Sequence, residues 1–160
     1  MTAANGLTTV QRAYVPNMAG STSANVSVID VGSASVIETV ISSFNQPVSV
    51  AVSPDGRRVW VPNQGSNSVY VLDTTTDTLA AAVNLGTGAA PVAVAVSPDG
   101  TRAWVSNSGA NSVSVIDTAS YAVIATIDIG SVPYGIVVSP NGQRVYVVDL
   151  TANSVALIDT

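Results

Sequence analysis

The chain has 160 residues, 47% of them hydrophobic and only 9% charged, which describes one folded domain with a real core and excludes a disordered chain. Ten carboxylates stand against five arginines (Arg12, Arg57, Arg58, Arg102, Arg144) and no lysine, for a net charge of −5. That balance argues against nucleic acid or an anionic membrane as partner, since both need clustered cations. With neither cysteine nor histidine, disulfides, thiolate chemistry, Ser-His-Asp arrangements and imidazole metal sites are all excluded.

The first eleven residues lack a basic segment followed by an apolar one, so no signal peptide is expected there. The apolar runs that follow are short and Val-rich, bounded by Gly, Pro, Asn, Asp and Ser, far below the ~20 residues of a membrane span. Strands are expected at 12–17, 25–30 and 36–41, then at 47–53, 58–63, 68–73 and 79–84. Two further sets follow, at 91–97, 102–107, 112–117 and 122–128, and at 133–139, 144–149 and 154–159. Between 53 and 58, 97 and 102, and 139 and 144 the chain reads Ser-Pro-Asp-Gly, Ser-Pro-Asp-Gly and Ser-Pro-Asn-Gly. Proline presets φ at the second position of such a turn, and glycine takes the left-handed residue. No stretch shows helical periodicity with caps.

The pattern repeats. Arg58, Trp60, Asn63, Val69, Val71 and Asp73 return as Arg102, Trp104, Asn107, Val113, Val115 and Asp117, and again as Arg144, Tyr146, Asp149, Val155, Leu157 and Asp159. An earlier copy reads Arg12, Tyr14, Asn17, Val26, Val28 and Asp30, and the closing aspartates lie 43, 44 and 42 residues apart. Such a period signals one supersecondary unit, stacked on its neighbours to bury faces that it cannot bury alone. The four-residue loop at 64–67 sets Asn63 opposite Ser68 and therefore Arg58 opposite Asp73. The same register pairs Arg102 with Asp117, Arg144 with Asp159 and, across a loop three residues longer, Arg12 with Asp30. An ion pair is expected at the foot of each hairpin, worth ~0.2–1 kcal/mol.

Both faces of these strands are apolar: Val59 and Val61 point one way, Trp60 and Val71 the other. A sandwich leaves one face wet. Strands buried on both faces suit four-stranded antiparallel sheets stacked around an axis, an all-β propeller of about four blades. A β-solenoid is the rival, but its shorter rungs need no meander. Blades are expected at about 1–41, 47–84, 91–128 and 133–160, the last lacking its outer strand. Residues 1–11 could add one strand, to the first blade or the last. Four blades is the lower limit for closure, and an open arc leaves faces and edges bare. The expected state is a half-propeller that completes a ring of about eight blades by homodimerisation, with strand exchange at the chain ends.

The segment at 102–149 resembles the bacterial and archaeal YVTN β-propeller repeat. The tetrads Tyr14-Val15-Pro16-Asn17, Trp60-Val61-Pro62-Asn63, Trp104-Val105-Ser106-Asn107 and Tyr146-Val147-Val148-Asp149 carry the resemblance, with the Ser-Pro-Asp-Gly turn and the strand ending in Asp-Thr. It covers nearly the whole chain after about residue 12. The resemblance implies a propeller of the kind found in surface-layer and secreted proteins, hence an extracellular or cell-surface location in a bacterium or archaeon. Its relatives include lactonases and quinone-bearing enzymes, so resemblance alone assigns no chemistry.

Strand direction places the loops at 17–24, 45–47, 63–67, 86–91, 107–111, 130–134 and 149–153 on one rim, the candidate ligand face. Its candidate residues are Asn17, Asn45, Gln46, Asn63, Gln64, Asn107, Tyr134 and Asp149, amides and an aromatic ring suited to a carbohydrate or a protein surface. Tight loops demand the same residue types for their own geometry. The repeated aspartates Asp30, Asp73, Asp117 and Asp159 mark one structural position rather than an acid/base pair. Asp77, Asp128 and Asp149 do not repeat. No cofactor is expected; Ca²⁺ held by channel carbonyls and Asp is the alternative. The aromatics Tyr14, Trp60, Trp104 and Tyr146 recur in mid-strand, which points to packing between blades rather than to a sugar platform. The expected function is a non-enzymatic binding or assembly module. The alternatives are part of a propeller enzyme of lactonase or quinoprotein type, or a purely structural self-assembling repeat.

Overall fold

The computed structural model describes residues 11–18, 24–40 and 44–160. The strand expected of residues 1–11 lies outside the described residues. Among the described residues, fourteen strands form four antiparallel sheets. Blade I holds β1 (Arg12–Asn17), β2 (Asn25–Asp30) and β3 (Ser35–Val40); blade II holds β4 (Ala51–Val52), β5 (Arg58–Asn63), β6 (Ser68–Asp73) and β7 (Thr78–Asn84). Blade III holds β8 (Pro91–Val96), β9 (Arg102–Asn107), β10 (Ser112–Asp117) and β11 (Val123–Asp128). Blade IV holds β12 (Pro133–Val138), β13 (Arg144–Asp149) and β14 (Ser154–Asp159). Each sheet is an up-and-down meander, and the first strands β4, β8 and β12 stand side by side on the inner wall of the arc. This is a β-propeller architecture.

The tight turns form as the sequence dictates. Gly56, Gly100 and Gly142 sit at φ of 71°, 74° and 73°, where a Cβ is unfavourable. Each donates its N–H to the carbonyl of the serine three residues back at 2.8 Å. The register also follows: Arg12 faces Asp30, Arg58 faces Asp73, Arg102 faces Asp117 and Arg144 faces Asp159.

Two expectations need correction. The first strand of blade II is only Ala51–Val52, with an isolated bridge between Pro47 and Asn63. Pro62 is the cause: its carbonyl accepts the Val48 N–H at 3.2 Å, but it has no N–H to return. The four ion pairs are the second. Arg58 holds Asp73 at 2.6 Å and Arg144 approaches Asp159 at 3.6 Å. Arg12 instead crosses to blade II, donating to Asp77 at 2.8 Å and to the Thr74 carbonyl at 2.9 Å. Arg102 and Asp117 face each other in register without an ion pair. Asp117 is occupied by its own turn, accepting the Ser120 N–H and hydroxyl.

The core is three apolar seams, one per blade junction. Tyr14, Val26 and Val28 of blade I pack on Val59, Val61 and Leu72 of blade II. Trp60, Val69 and Val71 pack on Ala103, Val105 and Ile116 of blade III. Trp104, Val113 and Val115 pack on Ile136, Val145 and Val147 of blade IV. One geometry thus recurs three times. A bulky aromatic and two β-branched residues enter the small, branched face of the next sheet.

Candidate functional site

Met18, Gln64 and Tyr134, from three of the loops expected to carry a ligand, come together in the structure. A concave cavity of about 320 Å³ opens there, lined from all four blades by Met18, Val48, Gln64, Val92 and Tyr134, with Ser49, Ala93 and Gly135 between them. Tyr134 is 54% exposed. Its backbone is fixed from behind, because the Ser106 hydroxyl of blade III donates to the Tyr134 carbonyl at 2.7 Å. Gln64 begins a single 3-10 turn, Gln64–Ser66, and its N–H is held by the Gln46 carbonyl at 3.0 Å. The lining carries an aromatic face, an amide, a hydroxyl and a thioether, and no charged side chain.

Of the eight candidate residues, Gln64 and Tyr134 meet at this cavity. Four of the others are engaged in hydrogen bonds elsewhere. Asn17 donates to Asn25 Oδ1 at 2.6 Å and to the Ser27 hydroxyl at 2.8 Å. Asn107 does the same work in blade III, donating to the hydroxyls of Ser112 and Ser114 at 3.2 and 2.8 Å. Asn63 is fully buried; it donates to the Val61 carbonyl at 3.2 Å and accepts the Asn45 N–H at 3.4 Å. Asp149, the acidic member of this set, accepts the N–H groups of Thr151 and Ala152 and the Ser131 hydroxyl. Those donors, the Ser131 hydroxyl foremost, hold its carboxyl below the usual range. Asn45 lies against Gly65, and Gln46 takes a left-handed φ of 53° while remaining exposed.

The repeated aspartates are likewise engaged. Backbone N–H groups of Ser33 and Thr75 depress Asp30 and Asp73, and the Ser120 hydroxyl depresses Asp117. Each of these three carboxylates therefore stabilises its own turn. Among the described residues, no group of three His, Cys, Asp or Glu is placed to hold a metal ion.

The opposite rim holds clefts that the sequence reading missed. One of about 550 Å³ separates blades III and IV, between Pro98, Asp99, Arg102, Trp104 and Gln143. A second, about 460 Å³, separates blades II and III, between Pro54, Arg57, Arg58 and Tyr121. A third lies between blades I and II at Arg12, Tyr14 and Thr74. The signal for them was present in the recurrence of Ser-Pro-Asp-Gly beside an arginine.

The family model of the YNCE-like β-propeller matches residues 7–159. A 47-residue stretch is 47% identical to PE_PGRS18, a PE-PGRS family protein of Mycobacterium tuberculosis H37Rv; it covers 29% of this chain and 10% of that protein. Among solved structures, the fold is similar to hydrazine synthase of Kuenenia stuttgartiensis, with a TM-score of 0.70 and 32% identity over 79% of this chain and 36% of that one. It is also similar to a putative 6-phosphogluconolactonase from Bacteroides uniformis, with a TM-score of 0.78 and 16% identity over 96% of this chain and 51% of that one. The chain thus spans a tenth to a half of the length of these proteins, and the last likeness shows the fold alone.

Proposed function

The chain belongs to the YNCE-like β-propeller family, and we propose that it acts as a non-enzymatic binding module for an uncharged carbohydrate at the inner rim. The observation that carries this reading is the cavity to which all four blades contribute, with an exposed Tyr134 and Gln64 in its lining and no charged group there. An aromatic face covers the apolar side of a sugar ring, and amide and hydroxyl groups fix its orientation. The commitment of Asp30, Asp73 and Asp117 to their own turns supports a role without acid/base chemistry. The YVTN-type tetrads support the finer assignment to surface-layer-type repeats, and with it an extracellular or cell-surface location.

Glycan-array screening followed by calorimetry tests the reading. A neutral oligosaccharide should bind, and Tyr134→Ala should weaken it at least tenfold, or about 1.4 kcal/mol. Failure of every neutral glycan, or binding that ignores Tyr134→Ala and Gln64→Ala, would refute it. Hydrolysis of a lactone by the purified chain would move the assignment to the enzyme class.

A further inference from the structure

The turns that link β4 to β5, β8 to β9 and β12 to β13 share one hydrogen-bonded design, with one chemical exception. In blade II the Ser53 hydroxyl and the Arg57 N–H donate to Asp55 Oδ1 at 2.5 and 3.0 Å. In blade III the Ser97 hydroxyl and the Thr101 N–H donate to Asp99 Oδ1 at 2.6 and 3.0 Å. In blade IV the acceptor is Asn141 Oδ1, which takes the Ser139 hydroxyl at 2.7 Å and the Gln143 N–H at 3.1 Å. The Asn141 amide nitrogen Nδ2 donates to Gln143 Oε1 at 3.1 Å, on an exposed side chain. The two bonds common to all three turns therefore use the side-chain oxygen alone. The next residue is Gly142. Asn141 is exposed, and so are Asp55 and Asp99, each of which is followed by a further blade. Exposure thus belongs to this position of the repeat.

We propose that Asn141 is a site of spontaneous deamidation, and that the blade IV turn accepts the aspartate product without rearrangement. In the first step the Gly142 backbone nitrogen bonds to Asn141 Cγ. The Cγ–Nδ2 bond breaks, and ammonia leaves with the proton that the Gly142 nitrogen gives up. Water then opens the resulting succinimide ring. Hydrolysis of its Cγ–N bond gives aspartate in an unchanged backbone. Hydrolysis at the main-chain carbonyl gives isoaspartate, with one extra atom in the backbone. No oxidant, reductant or cofactor enters either step. Glycine favours ring closure because it has no Cβ to crowd the attacking nitrogen.

The fold controls both the rate and the fate of the product. Gly142, at φ 73°, donates its N–H to the Ser139 carbonyl at 2.8 Å. Its nitrogen is committed to that carbonyl, so the turn must open before the ring can close. Aspartate then restores the closed turn. Blades II and III show the ionised group in place, where the Ser53 and Ser97 hydroxyls hold Asp55 and Asp99 below the usual carboxyl range. Isoaspartate lengthens the turn and displaces the Gly142 N–H from its acceptor. The aspartate product adds one negative charge to the cleft between blades III and IV, which Asp99 and Arg102 also line. The proposal is independent of the carbohydrate reading.

Ageing of the purified chain at mildly alkaline pH, native and in concentrated urea, tests it. Peptide mass mapping reads the gain of one mass unit and separates Asn141 from Asn5, which precedes the other Asn-Gly pair of the chain. Asn141 should convert in the native chain, roughly tenfold more slowly than in urea. Asn141→Asp should keep the urea midpoint and the circular dichroism of the parent chain. An Asn141 that stays intact in the native chain after the urea sample has fully converted would overturn the site. Equal rates in the two samples would overturn the control by the turn. A lowered midpoint for Asn141→Asp would overturn the accommodation of the product.

Discussion

Replacing Trp60 with alanine should cost the fold about 3–5 kcal/mol. Trp60 is 1% exposed at the junction of blades II and III, against Val105 and Ile116, with its ring 5.9 Å from that of Tyr121 at 54°. A buried tryptophan removes ~150–250 Å² from water, which at ~25 cal/mol per Å² is about 4–6 kcal/mol. The tilted ring pair adds ~0.5–1.5 kcal/mol. Working against this, the buried Nε1–H of Trp60 has no hydrogen-bond partner, a cost of ~1–3 kcal/mol. Phenylalanine keeps the ring stack and removes that donor, so Trp60→Phe should cost within about 1.5 kcal/mol. Urea unfolding followed by far-ultraviolet circular dichroism measures both, because the fluorescence of a chain with two tryptophans changes with the substitution itself. A cost below about 1 kcal/mol for Trp60→Ala would show that the seam does not depend on the aromatic. Equal costs for the two variants would show that the ring stack that phenylalanine keeps contributes nothing.

Arg12 and Asp77, with side chains 31% and 13% exposed, should show a double-mutant coupling of ~0.5–1 kcal/mol that shrinks with salt; the cycle of Arg12 with Asp30 should show almost none. Gly65 and Gly109 occupy the same turn position, but a Cβ at Gly109 would overlap the Gly88 carbonyl oxygen, whereas at Gly65 it would overlap only the Asn45 side chain. Gly109→Ala should therefore lose about 1–3 kcal/mol, while the loss in Gly65→Ala should be relieved by adding Asn45→Ala, as urea midpoints of the variant chains will show. The carboxyls of Asp30, Asp73, Asp117 and Asp149 are held below 3.8 in the fold by their turn donors. Because the folded values are depressed, this stabilisation is complete above the unfolded value and is lost as pH falls through the folded ones. The urea midpoint should be flat from neutrality to about pH 5 and drop below about pH 4; a midpoint that rises in acid would contradict the assignment.

How much of this was legible depends on how far apart the interacting residues lie. Loop length alone paired Arg58 with Asp73, and strand alternation alone put Trp60 and Val61 on opposite buried faces. The shortened β4 was encoded too, in Pro62, but only as a missing donor whose effect needs the neighbouring strand to be placed. At the rim, Asn63, Asn107 and Asp149 read equally well as ligand groups or loop fasteners, because both uses need a short polar side chain. Only coordinates show their atoms turned onto Val61, Ser114 and Thr151.

By itself, the sequence determined the repeat, the strands, the turns and the hairpin register, since each rests on steric rules and hydrogen bonds between residues a few positions apart. The tertiary structure decided which acceptor Arg12 takes and where a cavity opens. Those outcomes join residues a whole repeat apart, and they depend on how rigid sheets stack rather than on what any one segment prefers.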